Sequence, residues 1–215
     1  MATPAPNLFY KIVHGDPPFL VPRRLTDIGK ENFGVLCERP LVLFADAQEA
    51  LEKSLWFYAH NILPLVGEAN NPAVTVFAAR TYGVDAVMSE LPIAAEFLPR
   101  LGAAYDLERI RSLTLIGRNF SFPDLAPFFH EGRTIRALLA LPDVGAFAES
   151  CSRRLALGEL IFHPDATSEV TLEQGVFKVT KTIDLLQPVA GRMTGIAADA
   201  VGICPCGRVE SFVLC

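Results

Sequence analysis

The residues with the clearest chemical capacity lie near the end of the chain, in Ile203-Cys204-Pro205-Cys206-Gly207-Arg208. Two thiols separated by one residue can aim both sulfurs at one point if the backbone turns sharply. Gly207 permits such a turn because it tolerates positive φ. Pro205 fixes one φ and removes a competing N–H. Two thiolates so placed suit Zn²⁺, which takes four soft or borderline ligands in a tetrahedron. Two further ligands are available upstream in the same third of the chain, at Cys151 and His163. Cys151, His163, Cys204 and Cys206 would together make a Cys3His site closed by a long loop. The competing reading is that these are ordinary thiols, since cysteine often packs as a small hydrophobe and no Cys-x2-Cys pair is present.

Other chemistry finds less support. No Gly-x-Ser-x-Gly occurs, and no Ser or Cys stands in a recognisable nucleophile context. His130-Glu131 lacks the second His of a zinc-protease helix. Asp124, Glu131 and Asp143 are scattered carboxylates of the kind that usually face solvent. His163-Pro164-Asp165 could equally be a turn, with His163 packing and Asp165 capping it. Near the start, His14-Gly15-Asp16-Pro17-Pro18 has neither the glycine spacing nor the Lys-Ser/Thr of a phosphate loop, and reads as a plain turn.

The elements that must position these residues come from a chain of 215 residues, a length for one domain or one domain with an appendage. Half the residues are hydrophobic (51%), ample for a packed core. The net charge of −5 gives no electrostatic footprint for nucleic acid, and no basic run suits an anionic membrane surface. No cationic-apolar leader opens the sequence, and no apolar run approaches the ~18 residues of a membrane span. The five cysteines, Cys37, Cys151, Cys204, Cys206 and Cys215, are odd in number. Without a secretory signal they point to reduced thiols and a cytoplasmic protein.

Leu41 to Ala45 reads as a short buried strand, followed by Asp46 as N-cap with Glu49 three residues on. The helix this opens runs roughly from Ala47 to Leu63, with Leu51, Leu55, Tyr58 and Ile62 on one face. Leu65-Val66-Gly67 reads as connection. Asn71-Pro72 starts a second helix, with Val74, Phe77, Ala78 and Tyr82 on one face, and Gly83 stops it. Further strands are expected over Asp85–Met88, Leu113–Gly117 and Ile135–Leu139, with helices from Ser89-Glu90 to Leu101 and from Pro123 to His130. This alternation over about 41–140 predicts an α/β fold, a mostly parallel sheet flanked by helices. The character changes near Asp143. Strands over Glu159–His163, Glu169–Glu173 and Val176–Thr182 predict a small antiparallel β subdomain carrying the cysteine box. The expected organisation is therefore an α/β core over 1–145 and a β subdomain over 146–215.

The order of elements resembles the adenylate-forming (AMP-binding) ligases of the phenylacetate–coenzyme A ligase type, from about Pro18 to Arg208. The specific anchor is Cys204-Pro205-Cys206-Gly207-Arg208, which is similar to the Cys-Pro-Cys-Gly-Arg of that group. Ala148-Glu149-Ser150-Cys151 followed by His163 resembles the group's Glu-Cys stretch and the His after it. Gly67-Glu68-Ala69-Asn70-Asn71-Pro72 leading into Tyr82-Gly83-Val84 is a weaker anchor. The resemblance implies a structural zinc held by Cys151, His163, Cys204 and Cys206.

The nucleotide motifs depart from that pattern. The position of the phosphate loop holds Val13-His14-Gly15-Asp16-Pro17-Pro18, without hydroxyls. The position of the Tyr-Gly-x-Thr-Glu motif holds Leu139-Ala140-Leu141-Pro142-Asp143, where only Asp143 retains suitable chemistry. The position of the Arg-Thr-Gly-Asp motif reads Met193-Thr194-Gly195-Ile196, so the ribose carboxylate has become aliphatic. Asp143 and Thr194 are the remaining candidates for a vestigial nucleotide cleft. The small C-terminal domain with its catalytic Lys is not expected to follow. Together these losses leave the triphosphate, Mg²⁺ and ribose unmanaged, so no intact ATP–Mg²⁺ site is expected in the chain alone. The resulting expectation is a shortened, non-catalytic binding or accessory protein. A small carboxylic acid or nucleotide, and a partner protein or homo-oligomer, are its candidate partners. The alternatives are one part of a split acid–CoA ligase and an oligomer-forming structural protein.

Overall fold

The computed structural model describes residues 37–59, 62–141, 144–165, 168–173, 176–181, 189–193, 198–200, 203–208 and 211–214. The chain divides into two compact units between Ser112 and Leu113. The change of pattern near Asp143 falls within the second.

The first unit is built on three parallel strands. β1 (Pro40–Phe44) lies between β2 (Leu65–Glu68) and β3 (Ala86–Glu90), with Leu41 opposite both Leu65 and Val87. Every residue of β1 is buried, as its unbroken apolar run requires of a strand covered on both faces. Helix α1 (Ala47–Ala59) follows β1, α2 (Pro72–Tyr82) follows β2 and α3 (Leu91–Gly102) follows β3. Asp46 caps α1, its carboxylate accepting from the N–H groups of Gln48 (2.6 Å) and Glu49 (3.3 Å). Gly83 ends α2 at φ +72°, donating its N–H to Ala79 O at 2.9 Å.

The first unit departs from the sequence expectation in two places. Leu65-Val66-Gly67 is strand rather than connection. Its glycine conceals the strand signal but serves close packing, because a Cβ at Gly67 would sit 2.6 Å from Thr75 Cγ2 and 3.0 Å from Leu43 Cδ1. The buried faces of α1 and α2 are also rotated from the apolar stripes. In α1, Ala50, Ser54 and Phe57 are buried while Leu51 and Tyr58 are half-buried. In α2, Thr75 and Ala79 are buried, while Val74 and Phe77 are 53% and 71% exposed. Small and polar residues face inward there because α2 approaches β2 closely. The Thr75 hydroxyl both donates to Glu68 O and accepts from Glu68 N, each at 2.9 Å. In α3, Ala94, Phe97, Leu98 and Leu101 are buried.

The second unit contains a sheet in the order β4 (Ser112–Gly117), β5 (Thr134–Leu141), β6 (Gly145–Ser150), β7 (Ile161–Pro164), β12 (Phe212–Leu214) and β11 (Ala198–Ala200). From β5 onward these pairs are antiparallel. A separate antiparallel sheet comprises β8 (Ser168–Glu173), β9 (Val176–Lys181) and β10 (Val189–Met193). Short helices α4 (Phe122–Leu125) and α5 (Ser152–Leu155) complete it, so the expected helix from Pro123 is one turn plus a 3₁₀ turn over Ala126–Phe128. No strand is expected at β6, whose Gly-Ala-Phe-Ala-Glu-Ser is poor in β-branched residues. Pairing with β5 across a register shift at Leu139/Ala140 overrides that propensity. The fold is thus mixed α/β, parallel in the described pairs of the first unit and antiparallel from β5 on. Among the described residues no helix is long and apolar enough to cross a membrane.

Candidate metal centre

Three pieces of the second unit bring the candidate ligands together. Cys151 lies between β6 and α5, as the residue that precedes the helix. Its N–H donates to Ile161 O at 2.7 Å, and its carbonyl accepts from Leu155 N at 2.9 Å. His163 lies on β7, opposite Glu149 of β6. Cys204 and Cys206 lie on a tight turn in which Gly207 N donates to Cys204 O (2.8 Å) and Cys204 N to Arg208 O (2.9 Å). Gly207 takes φ +95° to close it, the backbone freedom for which a glycine is needed there.

The four side chains, Cys151, His163, Cys204 and Cys206, place one ligand atom each within 4.8 Å of one another and could hold a metal ion. Cys204 Sγ lies 3.8 Å from Cys151 Sγ, and Cys206 Sγ lies 3.3 Å from His163 Nε2. A tetrahedron with metal–sulfur bonds of about 2.3 Å and metal–nitrogen bonds of about 2.0 Å has S···S edges of about 3.8 Å and S···N edges of about 3.5 Å. Both observed contacts are close to those edges. Cys151, His163 and Cys204 are buried. Ile161 packs in the same cluster, with Cys206 and Val213 against it. Burial pushes the Cys204 thiol up, offset in part by the Cys206 N–H. The Arg208 N–H, above all, pulls the Cys206 thiol down. A thiolate is thereby favoured at the more accessible sulfur.

Two features around the centre carry no signal in the sequence. Glu149 braces the cysteine turn, 3.1 Å from Arg208 Nη1 and 3.7 Å from Arg136 Nη1. Nothing in the spacing of Glu149 assigns it this role. Lys181 is fully buried, its ammonium donating to Ala146 O at 2.7 Å and to Asp165 Oδ2 at 2.8 Å. In an alternating strand it reads as an outward lysine. Asp165 stands two residues beyond His163, and its N–H donates to Phe147 O at 2.9 Å. Lys181 therefore ties β9 to the strand that carries the histidine. Asp143 and Thr194, the cleft candidates, lie outside the described residues, as does the stretch from His14 to Pro18.

No family model matches the chain, and no curated protein matches it in sequence. Solved structures do match in fold. An o-succinylbenzoate CoA synthetase double mutant from Bacillus subtilis, bound to a product analogue, aligns with a TM-score of 0.62 at 12% identity, covering 89% of this chain and 43% of that one. An acyl-CoA synthetase (AMP-forming)/AMP-acid ligase II-like protein from Dyadobacter fermentans gives 0.59 at 14% identity, covering 91% and 53%. A coronafacic acid ligase mutant from Pectobacterium brasiliense gives 0.59 at 11%, covering 88% and 42%. The chain thus spans about half the length, or less, of the solved structures it matches. At these identities the likeness is one of fold.

Proposed function

We propose that this chain is a shortened, non-catalytic relative of the adenylate-forming acyl-CoA ligases, of the phenylacetate–CoA ligase type, which acts as a binding or accessory protein around a structural zinc. The observation that carries the reading is the convergence of Cys151, His163, Cys204 and Cys206 from three separate pieces of chain. Four protein ligands leave no open position on a tetrahedral ion, so zinc held there supplies folding energy rather than a reactive site. Cys151 and His163 would clamp β6 to β7, and the paired thiolates would fix the cysteine turn against them. The vestigial cleft at Asp143 and Thr194 would admit a small carboxylic acid or nucleotide without activating it.

The test is metal analysis of the purified chain together with Cys204→Ser. About one zinc per chain, lost in the variant along with thermal stability, is the expected result. Zinc-free protein whose stability the substitution leaves unchanged overturns the reading.

A second reading makes the chain one part of a split acid–CoA ligase, active with another polypeptide. It is favoured by the extent of the fold match, 89% of this chain at a TM-score of 0.62 but 43% of the matched structure, which leaves the remaining scaffold for a second polypeptide to supply. Calorimetry with ATP and Mg²⁺ separates the two. Micromolar affinity supports the split enzyme, and no heat up to millimolar ATP supports the accessory protein.

A further inference from the structure

The first unit contains a cavity of about 460 Å³, remote in sequence from the cysteine centre and built from the segments that enter the strands. Three arginines line it. Arg39 directly precedes β1, Arg111 directly precedes β4, and Arg109 ends the 3₁₀ turn over Leu107–Arg109. None of the three forms an ion pair among the described residues.

Asp85 fixes where they stand. Its carboxylate accepts from the N–H groups of Glu38 (2.8 Å) and Arg39 (2.9 Å). Its own N–H donates to Arg39 O at 3.1 Å, and its carbonyl accepts from Arg111 N at 2.8 Å. The third arginine is tied to the same place through Tyr105, whose hydroxyl donates to Val84 O at 2.9 Å and whose ring lies 5.9 Å from the Arg109 guanidinium carbon. Three cations are thus rooted on one hydrogen-bonded node, and the node's own carboxylate is occupied by backbone donors. Glu38 and Glu108 also line the cavity, so it offers acceptors beside the guanidinium groups.

We propose that this cavity binds a small molecule through a phosphate or carboxylate head, with Arg39, Arg109 and Arg111 holding the oxyanion. Guanidinium groups match the geometry of both heads with paired N–H donors. The two glutamates accept from hydroxyl or amino groups on the rest of the ligand, and the volume lies in the range of small-molecule sites. The cavity sits at the amino ends of the parallel strands β1 and β3, whereas ligands of open α/β sheets bind outside the carboxyl ends. It is therefore not the usual crevice of such sheets, and its occupancy does not depend on zinc.

The test is calorimetric titration of the full chain with inorganic pyrophosphate and, separately, with citrate, at fixed ionic strength. Saturable binding of pyrophosphate alone assigns a phosphate head, of citrate alone a carboxylate head, and of both the shared oxyanion chemistry. Arg39→Gln and Arg111→Gln are expected to weaken binding about tenfold or more each, the loss of one charge-assisted hydrogen bond. Arg80→Gln, on α2 and outside the cavity lining, is expected to leave it unchanged. All three residues are exposed, so circular dichroism is expected to show intact folds. No saturable binding of either probe up to 10 mM (about the weakest affinity of interest) overturns the proposal. Equal weakening by Arg80→Gln also overturns it, because binding then follows net charge.

Discussion

Single residues in this chain hold unusual protonation or pairing states, and each has a measurable consequence. Burial, and secondarily the Asp85 carboxylate, push the Cys37 thiol up from 9.0 to about 12. Below pH 9 the thiol is protonated in both folded and unfolded chains, and no stability depends on it. Between pH 9 and 12 the unfolded chain ionises while the folded chain does not, so stability falls as pH rises. The slope from this one group is about 1.4 kcal/mol per pH unit. Denaturant melts at pH 8 and pH 10 should therefore show a smaller loss in Cys37→Ala than in the parent. Tyr58 and Tyr82, also raised by burial, act with the same sign at higher pH in both proteins. Lys181 presents the opposite situation, a buried charge that is paired. Lys181→Met removes the ammonium donor from the Asp165 carboxylate and from Ala146 O. The expected loss is about 3–5 kcal/mol, read as a lower denaturation midpoint. A midpoint within experimental error of the parent would show that the ammonium contributes nothing net.

At the level of elements, the joint between β2 and α2 depends on one hydroxyl and one missing methyl. Thr75→Val keeps the shape of the side chain but removes both hydrogen bonds to Glu68, leaving its N–H without that partner. A loss of about 1–3 kcal/mol is expected, and Thr75→Ser should recover most of it. This joint also shows where the sequence was readable and where it was not. The strands of β1, β3, β4 and β5 are short apolar runs between turn signals, and Asp46, Pro72 and Gly83 mark helix ends by their own backbone chemistry. β2 and β6 carry glycine and alanine where strands usually carry branched residues, so only their partners define them. The inward faces of α1 and α2 follow how closely each helix can approach the strands, which favours Ala50, Ser54, Thr75 and Ala79 over the larger apolar side chains beside them. The four side chains of the cysteine cluster are legible because thiols and imidazole are rare and chemically distinctive. Glu149 and Lys181 were not, because a charge on a strand looks the same in sequence whether it faces water or a partner.

For the molecule as a whole, the division between Ser112 and Leu113 implies that a metal at the cysteine centre stabilises one unit more than the other. The first unit has its own core in the fully buried β1 and the inward face of α3. In the second unit β6 and β7 meet at the centre through Cys151 and His163, and β12 pairs with β7 immediately beyond it. Ligand binding at such a site is folding free energy for the segments it joins, and local opening is set by the contacts each segment retains. Removal of zinc by a chelator should therefore raise amide exchange in Gly145–Ser150, Ile161–Pro164 and Phe212–Leu214, while Pro40–Phe44 and Ala86–Glu90 keep their protection. Hydrogen exchange with mass spectrometric readout, before and after chelation, measures both sets in one sample. Equal loss of protection in both units would mean that the ion supports the whole chain cooperatively. No change in either would remove the structural role on which the accessory reading rests, because a clamp that can be withdrawn without loosening the strands it joins is not holding them.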